Sequence, residues 1–359
     1  MKRILILIVM VFASASCFAL GFVDPDAPKT DPEWSRAVRK GAMAKLELHV
    51  VEEDGKPVAN ANIKVIMGMI ATAYTIYGQT DTNGVFIIKG KTKGNEIIIS
   101  AKKDGYYNSR EKLCFIKMGE ERQVKNGKWQ PYGEKVTVVL RKKKNPVFLI
   151  ANHWDTKDYK YTKTFYEWIG FDIKENDFVE PYGKGKIADF DVMIEWNGKT
   201  GRGVYTGMGV NIRFTEPYSG YYVVDKTLYS DLKSPYEAIP ENIKLTTALC
   251  YSKKQENGDW IKSEYNKNTC WVVRSRPVVD KNGKLISANY SLIYEISYTT
   301  TDENKAGFCI YRAFNPTPND TNLEPSDIPT TNDGIRIRSI PDTNLPIPLK
   351  QPPSPVEND

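Results

Sequence analysis

The chain has 359 residues, 41% of them hydrophobic, and a formal net charge of +6. That length and apolar content supply material for two hydrophobic cores. Six surplus positive charges without clustering on one element exclude a nucleic-acid footprint, and two histidines leave few routes to imidazole or zinc chemistry.

Lys2 and Arg3 precede the apolar run Ile4 to Phe12, which is followed by the small residues Ala13, Ser14, Ala15 and Ser16. This order predicts a secretory signal peptide over residues 1–19, cleaved near Ala15 or Ala19. The run is shorter than the roughly 20 apolar residues that span a bilayer. The expectation is therefore an extracytoplasmic protein (periplasmic, secreted or at the cell surface) with no transmembrane span in the mature chain. Cys17 raises the question of a lipid anchor. Ser14 stands where a lipoprotein cleavage site carries a large aliphatic residue, which favours simple cleavage.

Residues 20–42 are polar and contain proline, and read as a leader segment. From Ala44 the sequence alternates strictly, with Leu46, Leu48 and Val50 on one face and Lys45, Glu47 and His49 on the other, the pattern of a half-buried strand. A turn at Glu53–Pro57 leads to a second strand, Val58–Ile66. A turn at Thr80–Gly84 leads to Val85–Ile88. Ile97–Ile99 is a short buried strand, and Val136, Val138 and Leu140 alternate in a closing strand. Short strands at near-regular spacing between Gly, Asp and Asn turns predict a β-sandwich of about 100 residues.

Three segments in order carry a family resemblance: Asp54-Gly55-Lys56-Pro57-Val58-Ala59-Asn60-Ala61, then Thr80-Asp81-Thr82-Asn83-Gly84-Val85-Phe86, then Gly105-Tyr106. Residues 43–142 thereby resemble the carboxypeptidase regulatory-like (prealbumin-like) domain. The resemblance implies an Ig-like sandwich without activity of its own, an accessory that spaces or stabilises a neighbour. The basic run Arg141–Lys144 reads as a solvated linker. Asn145-Pro146 opens a second unit, because a residue before proline is biased toward extended backbone. Each unit is large enough to bury a core, so residues 43–144 are expected to fold alone.

Over residues 146–314 the strand candidates are Asp189–Trp196, Gly209–Phe214, Ala248–Tyr251, Cys270–Arg274, Leu285–Tyr298 and Phe308–Phe314, with turns at Asn197-Gly198, Asp280–Gly283 and Thr301–Gly307. A short helical turn is expected at Thr164–Ile169. The pattern predicts a larger antiparallel β-sandwich or jelly-roll-like domain, so the whole chain reads as all-β. Asn145-Pro146-Val147, Glu180-Pro181-Tyr182-Gly183-Lys184-Gly185 and Asp189 together resemble a group of uncharacterised exported bacterial proteins of the same two-part layout, which implies no function. Residues 315–359 hold 10 of the 21 prolines and read as a disordered tail, with Gly334–Ile340 a candidate edge strand. Four cysteines, Cys114, Cys250, Cys270 and Cys309, allow three disulfide pairings. A hairpin at Asn257-Gly258 sets Cys250 opposite Tyr265, too far from Cys270 for the bond unless the chain reverses at Asn266–Asn268, so the pairing stays open.

Several constellations imitate chemistry. His49-Val50-Val51-Glu52, with His153 further on, spells a zinc signature, yet residues three apart on a strand point to opposite faces. Gly183-Lys184-Gly185-Lys186-Ile187-Ala188 fits a dinucleotide pattern by letter but precedes a strand rather than a helix. Gly198-Lys199-Thr200 resembles the end of a phosphate loop with Met193 where a glycine is required. Asp81–Gly84 starts like a calcium loop and lacks the distal glutamate. The expectation is no catalytic site, no metal and no cofactor.

Aromatic residues offer a contact surface: Trp154, Tyr166 and Trp168 in a segment with Tyr159, Tyr161 and Phe165, and Tyr290, Tyr294 and Tyr298 along one face of a long strand. The leading functional expectation is a non-enzymatic exported protein with a binding or assembly role, its partner a carbohydrate or another envelope protein. One alternative is a carbohydrate-active enzyme or sugar-binding module, with Asp189, Asp191 and Glu195 alternating on one strand face as the carboxylates. The other is a surface structural subunit.

Overall fold

A computed structural model describes residues 31–326, except 69–72, 117–121, 153–158, 197–207, 245–246, 252, 255–259, 262–265, 267 and 303–304. The signal segment, Trp154, His153, Gly198–Thr200 and Gly334–Ile340 lie outside the described residues. The chain divides into two units, the first running to Lys143 and adding Leu228–Lys233, the second comprising Lys144–Thr227 and the chain from Ser234. Both are built of strands, and the protein is all-β. Among the described residues no helix is long and apolar enough to cross a membrane.

The first unit opens with a helix, α1 (Pro32–Lys40), inside the segment whose composition reads as a leader. The signals for it are local. Asp31 accepts the Glu33 amide at 2.9 Å, Pro32 fills the first helical position, and Gly41, at φ +84°, ends the helix. Its buried Ala37, with Trp34 and Val38, joins the core of the strands that follow. These are β1 (Ala42–Val51), β2 (Asn62–Met67), β3 (Tyr74–Gln79), β4 (Val85–Thr92), β5 (Glu96–Lys102), β6 (Ser109–Cys114), β7 (Val124–Lys125), β8 (Lys128–Trp129) and β9 (Glu134–Val139).

One sheet runs β4-β1-β8-β7, with β9 parallel beside β1; the other runs β3-β2-β5-β6. Strand β1 alternates along its whole length, with Ala42, Ala44, Leu46, Leu48 and Val50 buried. They meet Ile63, Val65, Ile97, Ile99 and Val138 in one core. The second strand starts later than Val58. Val58 is buried ahead of it, in a turn where Val58 N donates to Val50 O at 2.8 Å.

The second unit contains β10 (Ile150–Ala151), β11 (Lys160–Thr162), β12 (Trp168–Asp172), β13 (Asp177–Phe178), β14 (Phe190–Trp196), β15 (Met208–Arg213), β16 (Gly220–Asp225), β17 (Thr247–Tyr251), β18 (Lys253–Lys254), β19 (Trp260–Ile261), β20 (Thr269–Val279), β21 (Leu285–Asp302) and β22 (Lys305–Phe314). Two antiparallel sheets, β10-β22-β21-β20-β16 and β13-β12-β14-β15-β17, enclose a core in which Phe171 contacts the rings of Phe178, Phe190 and Phe308. The outer face of the first of these sheets carries a smaller core of Cys270, Val272, Tyr290, Leu292 and Leu323.

Three sequence expectations are corrected here. Thr164–Ile169 is not a helical turn: Tyr166 adopts φ +62° and strand β12 begins at Trp168. The tail starts too early at residue 315, because Leu323 and Glu324 are buried and Glu324 accepts the amides of Lys144 and Asn145 at 2.8 and 2.7 Å. Arg141 is not part of a solvated linker. Its side chain is 6% exposed and its Nε donates to Glu53 Oε1 at 2.8 Å.

Both Asp-x-Asn-Gly segments form the same turn. Asp81 Oδ1 accepts Asn83 N and Val85 N at 2.9 and 2.8 Å, and Asp280 Oδ1 accepts Asn282 N and Lys284 N at 2.8 and 2.9 Å. Gly84 sits at φ +71°, where a Cβ would come within 2.5 Å of Val50 O. The calcium-like opening at Asp81 is thus a hairpin device whose carboxylate binds its own backbone.

Candidate functional site

A dense polar cluster lies in the second unit. Arg276, set at φ +55° beside a bulge in β20, directs its guanidinium at two buried carboxylates, Asp172 (1% exposed) and Asp189 (3% exposed). Its Nη2 donates to Asp172 Oδ1 at 2.6 Å and to Asp189 Oδ2 at 3.0 Å, and its Nε to Asp189 Oδ1 at 2.9 Å. The planar fork suits this bidentate arrangement. Asp189 Oδ2 also accepts Ile173 N at 2.7 Å.

The loop that fits a dinucleotide pattern by letter is part of the same cluster. Lys186 N and Ile187 N donate to Asp172 Oδ2 at 3.0 and 3.2 Å, and Lys184 N donates to Asp177 Oδ2 at 3.2 Å. A Cβ at Gly185 would fall 2.8 Å from both Asp172 Cβ and Asp177 O, so glycine is what permits the close approach. The amides form an anion nest, and its anions are the protein's own carboxylates. Burial raises the Asp172 carboxyl, but the amides of Glu175, Lys186 and Ile187 together with Arg276 outweigh it and hold the group below the usual carboxylate range. Asp189 has fewer such donors, and burial pushes it up against the pull of Arg276. Arg312 extends the cluster from β22, donating to the carbonyls of Ile173 and Lys174. The group joins strands of both sheets and has the chemistry of a structural clamp.

Asp189, Asp191 and Glu195 do not share a face. Asp189 precedes β14, where the pleat has not begun, and turns to Arg276. Asp191 and Glu195 lie opposite the buried Phe190, Val192 and Ile194. On that outer face Arg213 Nε donates to Asp191 Oδ2 at 2.9 Å and Asn211 Nδ2 to Glu195 Oε1 at 3.1 Å. The Arg213 guanidinium also stands 4.1 Å from the centre of the Trp168 ring.

The expected aromatic surface divides. Tyr166 is exposed and Trp168 half-buried, whereas Tyr290 and Tyr294 belong to the smaller core. A bulge between Ile293 and Glu295 reverses the alternation of β21, so Tyr298 packs on the opposite side, against the main core. A period-two reading cannot register such an insertion. His49 and Glu52 go separate ways: His49 Nε2 is 2.7 Å from Glu47 Oε1, and Glu52 Oε1 accepts the Tyr106 hydroxyl at 2.6 Å.

Cys114, Cys270 and Cys309 carry buried thiols. Cys270 on β20 and Cys309 on β22 have β21 between them, a separation of about two strand spacings, or ~10 Å, which no disulfide spans. The side chain of Cys250 lies outside the described residues. Burial pushes the Cys270 thiol up to about 11. Alkylation at pH 8 is expected to leave Cys270 unmodified in the folded protein and to modify it in denaturant, as read by peptide mass mapping. The unfolded thiol ionises at about 8.5. The stability tied to this group is therefore complete below that pH and is lost between there and about 11.

The first unit has a second built feature, at the outer edge of β6. Residues 228–233 lie along it as a strap, with Ser109 and Ser230 forming an antiparallel bridge. Arg110 N donates to Tyr229 O at 2.7 Å and Asp231 N to Asn108 O at 2.9 Å. Asn108 Nδ2 donates to Asp231 Oδ2 at 3.0 Å, and Arg141 Nη1 to Leu232 O at 2.8 Å. Ser109, Ser230 and Leu232 are buried. No local pattern in Leu228–Lys233 announces this role, because the information lies in a pairing with residues far away in sequence.

No family model matches the chain, and no curated protein matches it. Among solved structures it is similar to 3-chlorocatechol 1,2-dioxygenase from Rhodococcus opacus 1CP, at 14% identity and a TM-score of 0.23 over 29% of this chain and 61% of that one. The chain thus spans about three fifths of that dioxygenase's length. It is also similar to the shaft pilin SpaA from Lactobacillus rhamnosus GG, at 10% identity and a TM-score of 0.20 over 77% and 99% of the two chains. With the major pilin SpaD from Corynebacterium diphtheriae the figures are 9%, 0.22, 77% and 82%. Likenesses at this level say nothing of activity or assembly.

Proposed function

We propose that the protein acts outside the cytoplasm as a non-enzymatic structural or assembly component, with the first sandwich as an accessory to the second and another envelope protein as its partner. The place of action rests on the basic, apolar and small-residue order of residues 1–19. The absence of catalysis rests on one observation about the carboxylates best suited to it. Asp189, Asp191 and Glu195 stand on two faces and each is held by Arg276, Arg213 or Asn211. A glycosidase needs two carboxyl groups facing one bond, with one of them available to give or take a proton.

Fractionation of the native cell tests the reading. The protein is expected in the envelope fraction, in species larger than one chain after mild chemical crosslinking. A monomeric protein that releases reducing sugar from envelope polysaccharide, and loses that activity on Asp191→Asn or Glu195→Gln, would overturn it.

A further inference from the structure

The chain on both sides of the strap, up to Thr227 and from Ser234, belongs to the second unit, and residues 144–227 separate the strap from the rest of the first. The strap is therefore held at β6 by non-covalent contacts alone. The groups that hold it, namely the flanking backbone pairs, Asn108 with Asp231 and Arg141 with the Leu232 carbonyl, are repeated in every copy of the protein. A strap from a neighbouring molecule would meet the same edge with the same partners. Exchanging an identical element costs little, because contacts given up within one chain are remade between two. A strand edge such as β6, once uncovered, favours recapture of a strand. The buried Arg141 adds to this, since departure of the strap removes the carbonyl that its Nη1 binds.

We infer that β6 is a strand-acceptor edge and that residues 228–233 of one copy dock on β6 of another, linking chains into an assembly. This rests on the assembly reading above and names its contact surface. Ser109 and Ser230 supply the test. Their neighbours make the ladder bonds, so the two residues form a non-hydrogen-bonded pair, at which Cα atoms stand about 4.5 Å apart. That spacing suits a disulfide.

Full-length S109C and S230C are prepared separately, mixed and mildly oxidised, with the unsubstituted chain as control for the native thiols. The expected product is a heterodimer in which mass mapping finds the 109–230 linkage, its yield rising with protein concentration. A double variant S109C/S230C that closes its bond within one chain at every concentration, with no heterodimer from the mixed single variants, overturns the inference. Failure of the double variant to form the 109–230 bond at all overturns it too, since the register is then wrong. The crosslinked size of the unsubstituted protein in the envelope reports on the assembly reading separately. Large species without the heterodimer would mean assembly through another surface.

Discussion

Replacing Arg276 by methionine is expected to destabilise the second unit by about 3–5 kcal/mol, because it leaves two buried carboxylates without their cation. Asp172 retains the amides of Glu175, Lys186 and Ile187, so the larger part of the loss falls on Asp189, which keeps the Ile173 amide. The pH dependence of the variant identifies the cause. Without the guanidinium, the folded Asp189 carboxyl rises further above its unfolded value of about 3.9. A carboxyl with a raised folded pKa opposes folding above that unfolded value and ceases to do so as protonation sets in. Urea unfolding of R276M should therefore show the deficit narrowing as the pH falls from 7 toward 4, relative to the parent protein at each pH. The triple variant D172N/D189N/R276M removes both charges along with the cation and should recover part of the loss. A deficit in R276M that is flat with pH and unrelieved in the triple variant would assign the effect to lost contact with the Phe314 ring, over which the guanidinium stands at 4.8 Å.

Trp129→Ala is expected to cost the first unit about 3–5 kcal/mol, the range for deleting a fully buried large aromatic side chain. Trp129 has no exposed surface, stacks on Phe115 with ring centres 5.5 Å apart, and donates its Nε1 to Thr92 O at 2.9 Å. Its ring also lies where a Cβ on Gly94 would be, at 2.6 Å. Trp129→Phe keeps most of the apolar volume and loses the hydrogen bond, leaving the Thr92 carbonyl without that donor, so its cost should be smaller, about 1–3 kcal/mol. Differential scanning calorimetry of the full chain, following the transition that W129A shifts and R276M does not, checks both values. Equal losses in the two variants would show that the hydrogen bond, and not the burial, dominates at this site.

What the sequence discloses and what it withholds differ by range. Strand β1 is legible because its alternation is a property of ten consecutive residues, and the turns at Asp81 and Asp280 are legible because an aspartate binds amides two and four positions on. The all-β class follows from many such local signals. Helix α1 was also available, from Asp31, Pro32 and Gly41, and is hidden only by the polarity of the segment around it. Trp129 gives no such sign, since β8 has two residues and the importance of the ring comes from Phe115 and Thr92. The candidate carboxylates fail for a different reason. The alternation of β14 does not reach back to Asp189, which lies one residue ahead of the strand and whose direction is set by an arginine 87 positions later. In the same way a single bulge moved Tyr298 away from Tyr290 and Tyr294. The clamp and the strap join residues far apart in sequence, and no window of one sequence contains such a pairing.

The late position of Leu228–Lys233 also bears on the order in which the protein is made. A chain grows from its N-terminus, and domains generally form as their residues emerge. Every strand of the first sandwich's two sheets has been made by Lys143, but the segment that covers the margin of β6, Leu228–Lys233, follows only later. A sheet formed during synthesis of residues 144–227 would therefore lack its cover along β6. Maturation of the first domain becomes a timed event, and whatever shields that margin in the interval decides whether neighbouring newborn chains remain separate.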